Sequence, residues 1–361
     1  MIEYENLKKT NNIFLKKFNN PYKKFCKDGR YILSKNVLNF EKKFSSYLNA
    51  SFCTGVGNGL DALILSLESL KLPIGSEVIL PANTYYATIL AVLRSSLKPV
   101  LAEPNFYTCN IDYKEILKKI TKKTRVVLVT HLYGKVCEMS KISKICKENK
   151  FYLIEDCAQA HGAKYKNKYA GTFGDFGCFS FYPTKNLGCL GDGGAVISKN
   201  TRNDTNIKML RNYGSIKRYK NEILGFNSRL DEFQASFLNI KLDYLCKINS
   251  HKRKLAITYD KLLNNKLIKP RLEKNYFDVF YVYNIRLQKR NALQKFLKKN
   301  KIATDIHYPL APYRQNSIKH LFEGKNFPIS EEIHQTTLSL PISFMNTKKE
   351  VEKVCFVVNN F

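Results

Sequence analysis

The first two thirds of the chain alternate short apolar runs with segments of helical periodicity. Four runs have the length and composition of buried strands: Glu77–Leu80, Val100–Ala102, Val126–Thr130 and Tyr152–Glu155. Helical spacing of apolar residues precedes the first run, from Leu60 to Leu70, and returns before the last at Met139–Lys150. Short strands separated by helices predict an α/β fold, with helices on both faces of a mostly parallel central sheet. Ligands of such sheets bind at the carboxyl ends of the strands.

The pattern of predicted secondary structure changes after residue 246. Tyr276–Leu287 predicts one strand, Asn291–Asn300 predicts a basic helix, and Thr347 with Glu350 predicts the capping box of a last helix. We therefore expect a large domain over residues 1–246 and a smaller α+β domain over residues 247–361. The chain has 361 residues, 44% of them hydrophobic, which is enough to bury two such cores.

The charge balance of the chain is strongly basic. Lysine and arginine number 60 against 30 aspartates and glutamates, which gives a formal net charge of +30. Such a field attracts anions, among them nucleic acid and phosphorylated metabolites. The basic residues are dispersed and form no recognisable nucleic-acid motif, so we do not expect nucleic acid as a partner. The alternative from a different functional class is a regulatory or nucleic-acid-binding protein.

Neither the N-terminus nor the cysteines indicate export. The opening residues contain Glu3 and Glu5 and lack the apolar segment of a signal peptide. The longest uncharged run, Val78–Leu93, contains Pro81 and is too short to cross a bilayer as a helix. The ten cysteines include no CxxC pair, which argues against a zinc site or a disulfide framework. These features predict a cytoplasmic protein without membrane association or a metal.

Two segments contain the residues with the clearest chemistry, EDCAQAHGA (Glu155–Ala163) and FSFYPTKNLGCLGDGG (Phe179–Gly194). Asp156 ends a buried strand, and Lys185 follows the next strand-like run in a turn. This pair suits pyridoxal 5'-phosphate (PLP), because a lysine amine bonds to the cofactor aldehyde and later shuttles a proton. The carboxylate keeps the pyridine nitrogen protonated, so that the ring accepts electrons more strongly.

These motifs resemble the sugar-nucleotide aminotransferases, a family of fold-type I PLP-dependent transferases. The resemblance extends from GRYILSKNVLNFEKKFSSYLN near the start to LSLPIS near the end. It implies that Asp156, Gln159 and Lys185 bind the pyridine nitrogen, the phenolic oxygen and the aldehyde carbon of PLP. It also implies that Tyr85, in TYYAT, stacks on the cofactor ring.

The same resemblance implies a phosphate site shared between two subunits. Asn58 and Gly59, in GVGNGLDAL, match residues whose backbone amides bind the cofactor phosphate at a helix N-terminus. Ser180 matches a serine on the same phosphate. Asn227, in GFNSRLDEFQA, matches an asparagine that reaches the phosphate of the neighbouring subunit. A homodimer with two shared active sites is therefore expected.

Five further residues are weighed as site residues. Tyr182 is a candidate for lining the sugar pocket, with simple packing as its alternative. His307 and Tyr308, in DIHYP, are expected to meet the substrate at the mouth of the site. Arg211 is a candidate contact for a phosphate or carboxylate, and its alternative is an arginine that bridges helices. His161 either touches the ring or satisfies a core hydrogen bond.

Three segments, GVGNGLDAL, ANTYYATILAV and KNLGCLGDGG, are most similar to the 3-aminotransferases of dTDP-3-keto-6-deoxyhexoses. The resemblance implies amino transfer from L-glutamate to such a sugar, giving a dTDP-3-amino-3,6-dideoxyhexose for lipopolysaccharide or another surface glycan. A 4-keto-sugar aminotransferase of the same family is the alternative. In sugar dehydratases of this fold a histidine replaces the lysine, and Lys185 argues against that reaction.

Overall fold

The computed structural model of the protein describes residues 1–361. Its α-helices are Leu7–Asn12 (α1), Leu15–Asp28 (α2), Lys35–Tyr47 (α3), Gly59–Ser69 (α4), Tyr86–Arg94 (α5), Tyr113–Lys119 (α6), Met139–Asn149 (α7), Thr201–Leu210 (α8), Glu232–Leu242 (α9), Leu245–Leu262 (α10), Arg290–Lys299 (α11), Pro328–Thr336 (α12) and Lys348–Asn359 (α13). Its strands are Phe52–Val56 (β1), Glu77–Pro81 (β2), Lys98–Ala102 (β3), Thr124–Thr130 (β4), Tyr152–Asp156 (β5), Lys164–Tyr165 (β6), Lys168–Tyr169 (β7), Phe176–Ser180 (β8), Gly194–Ser198 (β9), Ser215–Lys217 (β10), Lys220–Asn221 (β11), Tyr276–Phe277 (β12), Tyr283–Arg286 (β13) and Thr337–Leu340 (β14).

Seven strands form the central sheet in the order β1-β9-β8-β5-β4-β2-β3. The pairs β3/β2, β2/β4, β4/β5 and β5/β8 are parallel, and only β9 runs against its neighbours β8 and β1. All four strands predicted from the apolar runs lie in this sheet. The predicted α/β fold with a mostly parallel sheet is therefore confirmed, as are the helices α4 and α7.

Both faces of the central sheet are buried, because side chains alternate between two hydrophobic cores. In β4, Val127 and Val129 belong to the core that α3, α7 and α9 cover. Val126 and Leu128 belong to the opposite core, which α4, α5 and α8 cover. Valine is favoured in a strand that is packed on both faces. The layers place the carboxyl ends of β4, β5 and β8 along one edge of the sheet.

A third core of 19 buried residues surrounds the antiparallel pair β13/β14, with α10, α11 and α13 packed on it. Ile2 joins this core and bridges in parallel to Ile302, so the N-terminus is attached to the small C-terminal unit. Helix α11 confirms the predicted basic helix. Helix α13 begins with the predicted capping box, in which Thr347 and Glu350 each accept from the other's backbone N–H.

The single strand predicted for Tyr276–Leu287 is wrong. Its first part, β12, pairs with β6, whereas its second part, β13, pairs with β14. Between them, the Val279 N–H donates to the carbonyl of Gly134, and Phe280 adopts a φ of +46°. The apolar run is split because its two ends pair with different sheets.

The division at residues 246/247 stays a prediction, and two features of the structure do not follow this boundary. The proposed boundary falls inside the first turn of α10. Five residues beyond the boundary also complete the core under α4 and α5: Ala311, Tyr313, Ile318, Phe322 and Phe327. None of the helices combines the length and the apolar composition needed to cross a membrane.

Candidate active site

Asp156 provides a buried carboxylate at the carboxyl end of β5. Only 5% of the residue is exposed. Its Oδ2 accepts a hydrogen bond from the Thr88 hydroxyl at 2.9 Å, and its Oδ1 accepts from the Ala158 N–H at 3.1 Å. Burial raises the pKa of Asp156, and these two donors and the charge of Lys185 oppose that rise. A carboxylate held this way gains from a cationic partner.

Lys185 lies in the turn that follows β8, with its Nζ 4.1 Å from the centre of the Tyr281 ring. The amine forms no ion pair with a carboxylate, which leaves it free for chemistry. The Lys185 N–H donates to the carbonyl of Tyr182 at 2.9 Å and closes the turn. Thr184 and Tyr281 share a hydrogen bond of 3.2 Å between their hydroxyls, which positions the ring under the amine.

Two buried lysines hold the turn that carries Lys185. The Nζ of Lys241 donates to the Gly188 carbonyl at 3.0 Å, and the Nζ of Lys252 donates to Asn186 Oδ1 at 2.9 Å. Burial lowers the pKa of both amines to about 8. The turn that carries Lys185 is thus attached to α9 and α10 through side chains that the sequence did not single out.

The N-terminus of α4 lies directly against Ser180 at the end of β8. Asn58 caps the helix by accepting from the Asp61 N–H at 2.8 Å. At Gly59, a Cβ would lie 2.5 Å from the Ser180 Cβ, so any side chain here would collide. Exposed amides at a helix start beside a hydroxyl form a suitable cradle for a phosphate.

Gln159 is connected to both sides of the cleft. Its Oε1 accepts from the Tyr133 N–H at 2.7 Å, and its Nε2 donates to the Tyr308 hydroxyl at 2.9 Å. The Tyr308 ring lies 5.2 Å from that of Tyr85, which is 53% exposed. His307 Nδ1 is 2.9 Å from the Ser339 hydroxyl. Tyr308 of the DIHYP segment therefore meets Gln159 and Tyr85 in one cluster, and His307 lies beside Tyr308.

The remaining predicted residues have different positions. Tyr182 is exposed at the rim of the turn, and Asn227 is exposed on the segment that follows β11. His161 is fully buried against Phe179 and Phe181, and burial lowers its pKa to about 3, so it is neutral.

The prediction that Arg211 contacts the substrate is not supported by its position. The side chain is buried, and its Nη1 donates to Glu41 and to the carbonyl of Gly55. Because the guanidinium already binds Glu41 of α3 and the Gly55 carbonyl of β1, we assign Arg211 a structural role.

Glu155, beside Asp156, is a site residue that the sequence motif contained but did not explain. Its carboxylate accepts from the N–H groups of Gly171, Phe173 and Gly174 and from His131 at 2.8 Å. His131 Nδ1 accepts from a backbone N–H, that of Cys137, so its proton lies on Nε2. Glu155 therefore fixes the strand end that carries Asp156. Its four donors leave no lone pair for a metal.

Together these groups fit PLP. The cleft offers an amine without an acidic partner, a buried carboxylate that favours a cation, and an anion cradle that a single Cβ at Gly59 would fill. These are the groups needed for the aldehyde, the pyridinium and the phosphate of the cofactor.

Comparison with known proteins agrees with this geometry. The model of the DegT/DnrJ/EryC1/StrS aminotransferase family matches residues 14–359. The dTDP-3-amino-3,6-dideoxy-alpha-D-galactopyranose transaminase of Aneurinibacillus thermoaerophilus is 43% identical over 362 residues, 100% of this chain and 99% of that protein. A pleiotropic regulatory protein of Geobacillus stearothermophilus is 36% identical, over 93% of this chain and 92% of that protein.

Among solved structures, DesV of S. venezuelae, in complex with a ketimine intermediate, superposes with a TM-score of 0.97. It is 34% identical and the match covers 99% of this chain and 98% of DesV. These similarities confirm the predicted enzyme class, fold and cofactor. The chain belongs to the DegT/DnrJ/EryC1/StrS family of PLP-dependent sugar aminotransferases.

Proposed function

We propose that this enzyme transfers the amino group of L-glutamate to a dTDP-3-keto-6-deoxyhexose and gives a dTDP-3-amino-3,6-dideoxyhexose. The observation that carries the proposal is the Lys185 amine placed where its charge acts on the buried Asp156 carboxylate, in a chain 43% identical to a transaminase with such a name. The product suits the synthesis of lipopolysaccharide or another surface glycan. All ten cysteines are unpaired and eight are buried, which fits the reducing cytoplasm that we propose as its location.

PLP, when bound, supplies a carbon that carries the amino group between substrates and a ring that accepts electrons. Lys185 would bind the aldehyde carbon and, when its amine is free, would move a proton between its Nζ and the α-carbon of the donor. Asp156, whose carboxylate accepts from the Thr88 hydroxyl, would hold the proton at the pyridine nitrogen. Gln159 would donate to the phenolic oxygen, and Tyr85 would stack on the ring.

The phosphate of PLP is assigned to the cradle of Asn58, Gly59 and Ser180. Backbone N–H groups at the start of α4 and the Ser180 hydroxyl, which lies directly against Gly59, would donate to it. For the sugar nucleotide, we assign Tyr182, which is exposed at the rim. Tyr308, which adjoins Tyr85, and His307, which adjoins Tyr308, are assigned to the mouth of the site.

The segment that carries Asn227 supports a homodimer with shared sites. Several apolar side chains on and around β10 and β11 are exposed to solvent: Tyr213, Ile216, Tyr219, Leu224 and Phe226. Leu224 is 97% exposed, which is costly for a single subunit. A second copy of the chain that covers this segment would bring Asn227 to the phosphate of its neighbour.

The substrate proposal predicts the keto position that the enzyme prefers. Incubation with glutamate and dTDP-linked 3-keto or 4-keto 6-deoxysugars should aminate the 3-keto sugar at least roughly 100-fold faster, because a pocket built around one oxygen rejects its isomer. NMR spectroscopy of the purified product identifies the aminated carbon. A faster reaction with the 4-keto sugar would assign the enzyme to the 4-aminotransferases and refute the proposal.

A regulatory or nucleic-acid-binding role is the second candidate, favoured by the net charge of +30 and the name of one relative. Binding to random duplex DNA that weakens steeply with salt would indicate only the electrostatic attraction that such a charge produces. Binding that selects a sequence and persists in 0.2 M salt, in a protein without transaminase activity, would favour this second function.

The homodimer proposal predicts that two defective subunits restore each other. Asn227→Ala should lower the activity about 10- to 150-fold. This loss corresponds to a hydrogen bond to a charged group, which is worth about 1.5–3 kcal/mol. Mixed with Lys185→Ala subunits, it should regain about a quarter of the wild-type sites. Random exchange makes half of the dimers hybrid, and each hybrid has one site with both intact residues.

Native mass spectrometry establishes that the hybrids have formed. As a control, Asn221→Ala changes an exposed asparagine on the same segment and should retain most of the activity. Confirmed hybrids with no more activity than the parents would mean that Asn227 acts within its own subunit, and the shared site would be refuted.

A further inference from the structure

A cavity of about 40 Å³ lies between residues of the large parallel-sheet unit and residues of the small C-terminal unit. Cys109, Tyr133 and Lys135 line it from one side, and Asp278 and Arg286 line it from the other. No PLP-binding residue of the proposed site contributes to its wall. The cavity is therefore a separate feature, although Tyr133 also donates its N–H to Gln159.

Arg286 is the unusual group in this wall. The residue is only 2% exposed, and its side chain forms no ion pair with any carboxylate. Its Nη2 donates to the carbonyl of Phe106, and its Cζ lies 4.1 Å over the Phe106 ring. Its Nη1 is buried and has no hydrogen-bond partner in the protein. A guanidinium stays protonated in proteins, so this is a buried positive charge without a counterion.

The neighbouring acids form ion pairs with Lys135 and none with Arg286, although Asp278 Oδ1 is itself buried without a hydrogen-bond partner. The Nζ of Lys135 lies 2.8 Å from Glu273 and 3.3 Å from Asp278. Lys269, also in the wall, donates to two backbone carbonyls and lies 3.8 Å from Asp260.

Arg271 adds another cation at the edge of the cavity and stacks 3.6 Å from the Tyr107 ring, with no acidic partner. The four cations in the wall thus outnumber its single acid, Asp278.

The size of the cavity limits what can balance this charge. On the same scale a water molecule needs about 10–15 Å³, so the cavity admits a few waters or one small ion and excludes a nucleotide. A larger groove of about 510 Å³ shares Tyr107, Thr108 and Arg271 with it and offers a path from solvent.

We infer that the cavity binds a small inorganic anion of the halide class, with chloride as the natural occupant, at Nη1 of Arg286. The anion supplies the missing counterion. The anion also links the two units, because the wall of the cavity contains residues of both. The inference does not depend on the proposed sugar substrate.

Bromide, an analogue with an anomalous signal, tests the site directly. Crystals of the PLP-loaded enzyme grown in sodium bromide should show an anomalous peak in contact with Arg286 Nη1. In solution, replacing sodium gluconate with sodium chloride at constant ionic strength should raise the unfolding midpoint, by about 1–2 °C per kcal/mol of binding in a chain of this length.

Arg286→Met should abolish the chloride-dependent shift, and Arg94→Met, which changes an exposed arginine, should preserve it. If Arg286→Met does not fold, the bromide peak in the wild-type enzyme still decides the question. The inference is overturned by crystals without a peak at Arg286. It is equally overturned by a chloride shift that persists in Arg286→Met, which would be a general salt effect.

Discussion

We expect Lys185→Ala to lose both its covalent bond to PLP and its transaminase activity. The amine of Lys185 has no acidic partner and is the only group proposed to move the proton, so its loss should slow turnover by at least roughly 1000-fold. Borohydride reduction should add the mass of the cofactor to the wild-type chain and leave the variant unchanged. Intact-protein mass spectrometry and a coupled glutamate assay measure the two effects.

A surface lysine is the matched control for this change. Lys122→Ala removes an exposed side chain on the loop before β4 and should keep both the reducible bond and the activity. If Lys185→Ala still retains the cofactor after reduction and denaturation, another lysine holds PLP and the assignment of Lys185 is wrong.

Asp156→Asn should cost at least several hundredfold in turnover while the protein stays folded. The change keeps the shape of the side chain but removes the charge that holds the pyridine proton. Losing one partner of a buried pair typically costs about 3–5 kcal/mol. Single-turnover rates with glutamate report the loss. The control, Asp28→Asn, alters an exposed carboxylate at the end of α2 and should have near-native rates.

The stability of the cofactor-free protein separates this electronic role from a structural one. Burial raises the pKa of Asp156 above 3.8, so the ionised carboxylate costs stability as the pH rises through that pKa. Asp156→Asn has no such charge, and its unfolding midpoint at pH 7 should equal or exceed that of wild type. A lower midpoint would make Asp156 a structural residue, and near-native turnover would exclude it from the mechanism.

The sequence was most informative where chemistry and local structure coincide. Asp156 at a strand end and Lys185 in the following turn were predicted because each belongs to a motif with few other uses. Gly59 was implied by the resemblance of GVGNGLDAL to the family motif, and the close approach to Ser180, which leaves no room for a Cβ, is the physical reason that the structure adds. The parallel sheet followed from the apolar runs, whose residues alternate between two cores.

Contacts between distant segments were not predictable from local patterns. Arg211 was assigned to the substrate because nothing near it in sequence indicates Glu41, its partner 170 residues away. Tyr281, which lies under Lys185, was hidden in a run that looked like one continuous strand. The run breaks because its two parts pair with different strands, β6 and β14. The hydrophobic pattern within the run does not indicate these two partners.

The core under α4 and α5 also has a consequence for how the chain is made. Ala311, Tyr313, Ile318, Phe322 and Phe327 complete that core, although the other buried residues in it end at Leu210. A chain emerging from the ribosome therefore exposes part of this apolar face until residues 311–327 have been translated, about a hundred residues after Leu210. Nascent domains with such surfaces are prone to aggregate and to need chaperones. The core under α4 and α5 thus reaches its native packing late, after the segments between Leu210 and Ala311 have already emerged.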